Sequence, residues 1–245
     1  MKAACIFLTL ERTDLTIRCI KQNFYNSGMD ADVFLIDSGT KDLTAITNAY
    51  PHFKKVFQFK KNKGIAAAIN KGLSLVKSSS SKTSFDKAET LRPFNYDAVV
   101  TLANDILMPN DWLKLMVEYA ELIPGTGMVG IHCVEELPPL TDGVHYASPV
   151  FGNVLITKQA LDKVGGYNTD FDPYGQQDAD YGYRVKLAGL KQYYLPNLKA
   201  EHIGHDAGNG TEYRKMKDEG LIKAKEIWES AKKGYDETGI IFIKY

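Results

Sequence analysis

Short apolar runs alternate with segments of helical character along most of the chain. Residues 4–10 form a continuous apolar run and predict a buried first strand. Residues 14–25, with apolar Leu15, Ile17, Cys19, Ile20 and Phe24, predict a helix. A second strand is expected over 32–37, ending on Asp37, then a helix over 43–49, a short strand over 56–59 and a helix over 65–76. The next strand, 97–102, runs into Asn104-Asp105, and a helix over 112–122 and a strand over 127–132 follow. This alternation predicts an α/β fold with a mixed, mostly parallel central sheet flanked by helices. Ligands of such sheets sit beyond the carboxyl ends of the strands, where Asp37 and Asp105 both fall.

The last third changes character. Residues 212–233 predict a charged amphipathic helix with Met216, Leu221, Ile222, Ile227 and Trp228 as its apolar points, and the bland reading is that it packs on the domain. Residues 239–245 read as a last strand or a docking tail. The Ser/Lys-rich stretch 77–92 has the composition of a flexible polar loop. With no internal repeat, the organisation expected is one domain over 1–211 and a C-terminal helix and tail over 212–245.

Composition narrows the class only a little. Lys+Arg and Asp+Glu number 30 each, so no global charge draws the chain to nucleic acid or acidic lipid. A local basic rim at Lys54, Lys55, Lys60, Lys61, Lys63 and Lys71 remains an option. No run approaches the roughly 18 apolar residues of a membrane span, and the N-terminal stretch is too short for a signal peptide. Cys5, Cys19 and Cys133 have no metal-ligand spacing and cannot all pair, which favours a reducing, cytoplasmic setting. Asn209-Gly210-Thr211 matches a glycosylation acceptor and reads as chance.

Four segments carry candidate chemistry. Thr9-Leu10-Glu11-Arg12 and Asp37-Ser38-Gly39-Thr40 follow strands, where a carboxylate or hydroxyl can meet a base or ribose and Arg12 a phosphate. The ordinary reading of Asp-Ser-Gly is a turn or a cap. Asn62-Lys63-Gly64 opens a helix of small residues containing Asn70 and Gly72, suited to close backbone or nucleotide approach, or simply to tight packing on the sheet. It fits neither a P-loop nor a dinucleotide fingerprint. The fourth group joins Asn104-Asp105, Asp178, Asp180, His202 and His205. Carboxylate with imidazole suits Mn2+ or Mg2+ on a diphosphate, and a separate carboxylate can be a general base; surface charge and capping are the alternative.

In their order along residues 4–206, these parts resemble glycosyltransferase family 2 on the GT-A fold. They are Asp37-Ser38, Asn62 to Gly72, Ala103-Asn104-Asp105, the stretch Asp178 to Arg184 with Gly189, and His202. Between them, Phe151 to Thr157 and Val164 to Asn168 resemble the family's acceptor-side strand and turn. The resemblance implies a metal-dependent inverting transferase moving a sugar from a nucleotide-diphosphate donor, most often a UDP-sugar, to an acceptor hydroxyl. Thr9, Arg12, Asp37, Lys63 and Asn104 would lie around nucleoside and phosphates, Asp105 and His202 would ligate Mn2+ or Mg2+, and Asp178 would be the general base. Asp180 and Arg184 would hold the helix around it. Ala103 stands where the family has its first aspartate and Gln177 where it often has glutamate. The acceptor implied is a glycan or lipid-linked intermediate, with protein, a small molecule or a modified nucleic-acid base as other options. Aromatics at 146, 151, 167, 171, 174, 181 and 183 could stack on a sugar, although core packing suits most of them better. A catalytically silent nucleotide-sugar or glycan-binding module is the alternative of another class. A nucleotidyltransferase would bring a glycine-rich loop after the first strand, and 8–12 has no glycine.

Overall fold

A computed structural model describes residues 1–79, 94–134, 136–204 and 212–245, the side chains of 212 and 213 excepted. The elements run β1 (Ala3–Thr9), α1 (Thr13–Tyr25), β2 (Asp32–Asp37), α2 (Thr44–Ala49), β3 (Phe53–Gln58), α3 (Ile65–Ser78), β4 (Ala98–Leu102), β5 (Ile106–Leu107), α4 (Trp112–Leu122) and β6 (Thr126–His132). They continue with β7 (His145–Tyr146), β8 (Val154–Thr157), α5 (Lys158–Val164), a 3-10 turn (Thr169–Phe171), α6 (Gln177–Leu187), β9 (Lys191–Lys199), β10 (Glu201–His202) and α7 (Glu212–Thr238).

Eight strands form one sheet in the order β3-β2-β1-β4-β8-β6-β9-β7, and β5 and β10 make a separate two-stranded ladder. The strands from β3 to β4 are parallel, β8 runs against both its neighbours, and β7 closes the far edge antiparallel to β9. Successive side chains of a strand point to opposite faces, and both faces are covered. Cys5 and Phe7 of β1 therefore pack with α1 and α4, through Cys19, Ile20, Trp112 and Met116. Ala4 and Ile6 pack on the other face with α3, α5 and α6, through Ile69, Leu73, Leu161 and Val185. This two-sided burial explains why the strands read as continuous apolar runs. Gly72 is the close-approach point expected of α3: a Cβ there would lie 2.5 Å from Ile6.

Two boundaries differ most from expectation. The third strand begins at Phe53 rather than 56: Lys55 pairs with Phe34 across the edge ladder and Lys54 falls at its irregularity, and hydropathy marks neither as strand. Helix α7 passes through Gly234 and ends at Thr238, before Gly239 at φ 68°. Contacts beyond Gly234 outweigh the helix penalty of glycine, about 1 kcal/mol: the Tyr235 hydroxyl donates to Asp180 at 2.7 Å, and the Tyr183 hydroxyl to Asp236. The tail after Gly239 docks, with the Ile243 amide donating to the Val164 carbonyl at 3.1 Å and its carbonyl accepting from Gly166 at 2.7 Å. The polar stretch 77–92 lies outside the described residues from residue 80 onward, as do Asn209-Gly210-Thr211.

One buried cluster ties this half together. Asp180 and Arg184 are both 0% exposed. Arg184 reaches Asp180 at 2.8 Å and donates to the carbonyls of Val164 at 2.7 Å and Gly166 at 2.9 Å. Removing one partner of such a pair strands a buried charge. Arg184→Met is therefore expected to cost about 3–5 kcal/mol, a Tm loss of roughly 6–20 °C by calorimetry. An unchanged Tm would contradict this bracing role.

Candidate active site

The site forms where β1, β2 and β4 end. Thr9 and Asp37 are paired at the last rung of β1 and β2. Asp37 is fully buried under its own turn: its carboxylate accepts from the amides of Gly39 at 2.9 Å and Thr40 at 2.8 Å, and from the Thr40 hydroxyl. Thr40 in turn accepts from the Glu11 amide at 2.8 Å. The turn after β2 thus braces the one after β1, where Glu11 and Arg12 sit at φ 53° and 51°. A left-handed pair without glycine is a strained way to leave a strand, and such strain gathers at functional sites. Next to it, Gly39 lies against the backbone of Lys61 and Asn62, which carries exposed Lys63.

After β4 the chain passes Ala103, whose amide donates to Asn153 at 2.8 Å, and Asn104, whose side chain donates to Thr16 at 2.9 Å and Thr9 at 3.2 Å. Buried Asn23 of α1 then fixes β5 with both amide atoms, donating to the Ile106 carbonyl and accepting from the Met108 amide, each at 2.9 Å. Asp105 is held between these anchors. The β5–β10 ladder pairs Ile106 with His202, and the amide of Ile203 donates to the Asp105 carbonyl at 3.0 Å.

Three side chains from distant parts of the sequence meet there. Arg12 Nη1 lies 2.9 Å and His202 Nε2 3.3 Å from the same oxygen, Asp105 Oδ2. Burial disfavours the charged form of Asp105. The hydrogen bond from His202 and the charges of His202, Arg12 and Lys217 outweigh that and hold its carboxyl below the usual range. Gly204 closes the back of the cluster, since a Cβ there would come 2.5 Å from Asp105.

Asp178 occupies the first turn of α6, half-buried, with the Gly152 amide donating to it at 3.4 Å. Burial, then the charges of Asp178 and Asp105, raise the pKa of Tyr174 against the opposing charge of Arg214. Gln177 is turned into the fold. It is buried and closes the loop before α6, accepting from Gly175 at 2.8 Å and donating to Phe171 at 3.3 Å.

The sequence-predicted residues thus divide. Thr9, Arg12, Asn104, Asp105 and His202 form one connected cluster and Asp37 braces the turn beside it, while Lys63 stands on the loop before α3 and Asp178 in the first turn of α6. His205 lies outside the described residues. The start of α3 does not offer its amides to an anion as expected: Ala66 and Ala67 donate to Asp172 at 2.9 and 3.0 Å. Burial still pushes Asp172 up to about 6. Among the aromatics, Tyr167, Phe171 and Tyr181 are core residues, whereas Phe151 is 41% exposed. Sequence reasoning missed the Arg12–Asp105 pair and the approach of α7.

Asp105 and His202 fit a divalent ion. Adjacent ligands of an octahedral ion with bonds near 2.1 Å lie about 3 Å apart, and the two atoms are 3.3 Å apart. Among the described residues no third His, Cys, Asp or Glu completes the set. The remaining positions suit phosphate oxygens and water, as is usual for ions held by one or two protein ligands.

The comparisons with known proteins bear on the fold. A family model described as the N-terminal domain of galactosyltransferase matches residues 132–206, which run from the end of β6 past β10. The mannosyltransferase PcManGT from Pyrobaculum calidifontis, solved in complex with GDP-Man and Mn2+, superposes with a TM-score of 0.65 at 18% identity, covering 84% of this chain and 58% of its own. GalNAc-T7 with UDP, GalNAc and Mn2+ superposes with a TM-score of 0.62 at 13% identity, covering 82% of this chain and 44% of its own. The chain thus spans between about two fifths and three fifths of the length of these two structures. No curated protein matches it in sequence. The chain has the GT-A fold of these structures, a single α/β domain with a mixed, mostly parallel sheet. Among the described residues, no helix is long and apolar enough to cross a membrane.

Proposed function

We propose that the protein is a metal-dependent, inverting glycosyltransferase that moves a sugar from a nucleotide-diphosphate donor to an acceptor hydroxyl. The observation that carries this reading is the convergence of Arg12 and His202 on Asp105 at the strand ends of a GT-A sheet. Asp105 and His202 would hold Mn2+ or Mg2+, which supplies charge neutralisation for the departing diphosphate. Thr9, Asn104, Arg12 and Lys63 would line the nucleoside and phosphates, with Asp37 acting through the turn it closes. UDP is the preferred nucleotide, as in the GalNAc-T7 complex, with GDP the competitor from PcManGT.

Asp178 is the proposed general base. Of the two acids at the start of α6, Asp180 is consumed by Arg184 and Tyr235, so the base must be the carboxylate that is not built into the core. Asp178 would take the acceptor proton as the acceptor oxygen bonds to the anomeric carbon. The bond from that carbon to the phosphate oxygen breaks with its electron pair staying on the diphosphate, and a single displacement inverts the centre. A protein hydroxyl, a glycan, a lipid-linked intermediate or a modified nucleic-acid base would each suit such a base. The three cysteines, none of them in a disulfide, fit a reducing, cytoplasmic compartment.

The test is nucleoside-diphosphate release from a panel of UDP- and GDP-sugars, with Mn2+ or with chelator. Metal-dependent release from one donor, with inverted configuration at the product carbon by NMR, is expected. A folded protein that releases nothing would instead be a silent sugar-binding module.

A further inference from the structure

Residues 43–79 hold seven lysines and no Asp or Glu, although the whole chain balances 30 basic against 30 acidic residues. Charge is therefore segregated, and β3, the loop after it and α3 carry a positive share that nothing on them offsets. Lys54 pairs with Asp32 at 3.5 Å. Among the described residues, Lys55, Lys60, Lys61, Lys63, Lys71 and Lys77 make no ion pair. Lys60, Lys61 and Lys63 are exposed on the loop. Lys71 and Lys77 lie along α3, with Nζ 4.3 Å from the centre of the Phe57 ring and 5.7 Å from that of Tyr245. A ring attracts an ammonium without cancelling its charge, so the face keeps its positive potential.

Apolar surface is interleaved with these charges. A shallow cleft of about 530 Å3 runs along α3, where Phe59, Ala67 and Tyr245 line it beside Lys63 and Lys71. Its one acid, Asp172, already accepts from the amides of Ala66 and Ala67. The tail after Gly239 docks next to it. Ile241 and Tyr245 pack inward on the core, and Ile240 and Phe242 between them are 70% and 52% exposed.

From this pairing of uncompensated lysines with outward apolar side chains, we propose that the face formed by α3, the loop before it and the tail docks on an anionic membrane surface. The lysines would meet lipid phosphates, and Ile240 and Phe242 would enter the boundary between headgroups and chains. Nucleic acid could use the same lysines, but it has no use for an exposed isoleucine or an apolar cleft. Gly39 lies against the backbone of Lys61 and Asn62, so this face borders the strand ends of the candidate site. Docking would set that site beside a lipid-linked acceptor.

The experiment is co-sedimentation with vesicles of phosphatidylcholine alone and of phosphatidylcholine with phosphatidylglycerol, after a Tm check of each variant. Wild type is expected to bind the anionic vesicles and not the neutral ones. Lys71→Gln with Lys77→Gln should weaken binding about thirtyfold, the effect of two lysines at an anionic surface. Lys60→Gln with Lys61→Gln, on the exposed loop, should do the same. Phe242→Ser should weaken it about tenfold. Lys223→Gln with Lys225→Gln makes the same charge change on exposed positions of α7 and should leave binding near wild type. Wild type that stays in solution with anionic vesicles would overturn the inference, as would an equal loss from the α7 pair. So would binding of a DNA or RNA oligonucleotide in place of vesicles, weakened by the lysine pairs and indifferent to Phe242→Ser, which would assign the face to nucleic acid. No nucleotide-sugar enters the assay, so each of these failures leaves the donor reading intact.

Discussion

Asp178→Asn is expected to lower transfer by about 10²–10⁴-fold, the usual contribution of a positioned base, while nucleoside-diphosphate affinity stays near wild type. The amide is nearly isosteric, so the contact from the Gly152 amide can persist. The start of α6 is held independently by Gln177, which closes the preceding loop, and by the Asp180–Arg184 pair behind it. What the amide cannot do is accept the proton of the acceptor hydroxyl. The signature is a fall in kcat with little change in nucleotide Kd, measured on transfer or, with water as acceptor, on hydrolysis of the donor. Wild-type turnover in this variant would remove Asp178 from the mechanism.

Asp105→Ala is expected to have the second large effect, and its sign depends on whether metal is present. Loss of a supporting partner already weakens metal affinity by about 10–100-fold, so losing a ligand itself should cost more than about 100-fold and abolish stimulation by Mn2+. Arg12 and His202 lose their shared partner at the same time. The cluster becomes more positive, so binding of a nucleoside diphosphate in chelator should hold or tighten. A variant that keeps full Mn2+ dependence would contradict the ligand assignment. One that loses binding equally with and without metal would assign Asp105 a purely structural role.

Much of the fold was legible because its strands are buried on both faces. β1, β2 and β4 read as mostly apolar runs, with Asp37 closing β2 and Asp105 just beyond β4. Edge strand β3 read short because its first half carries Lys54 and Lys55. The two-residue ladder of β5 with β10 has no period to read, and it is what brings His202 to Asp105. Arg12 and Asp105 are 93 residues apart and neither announces the other. Asp37 closes its own turn, for which a strand-end carboxylate is as apt as for meeting a ligand. The approach of α7 was hidden for a different reason. Helical period marks which residues share a face, here Gly220, Ala224 and Trp228, but only docking shows what that face covers.

The most direct test of the account is a thermal-shift screen of nucleoside diphosphates and nucleotide-sugars, each with and without Mn2+. A ligand at 100 times its Kd stabilises by about 2.7 kcal/mol, roughly 5–11 °C in Tm for a chain of this size. The account predicts a shift of that order that requires one particular nucleotide and the metal together, and that Asp105→Ala abolishes. A folded protein that shows no shift with any nucleotide in Mn2+ would contradict the donor site itself.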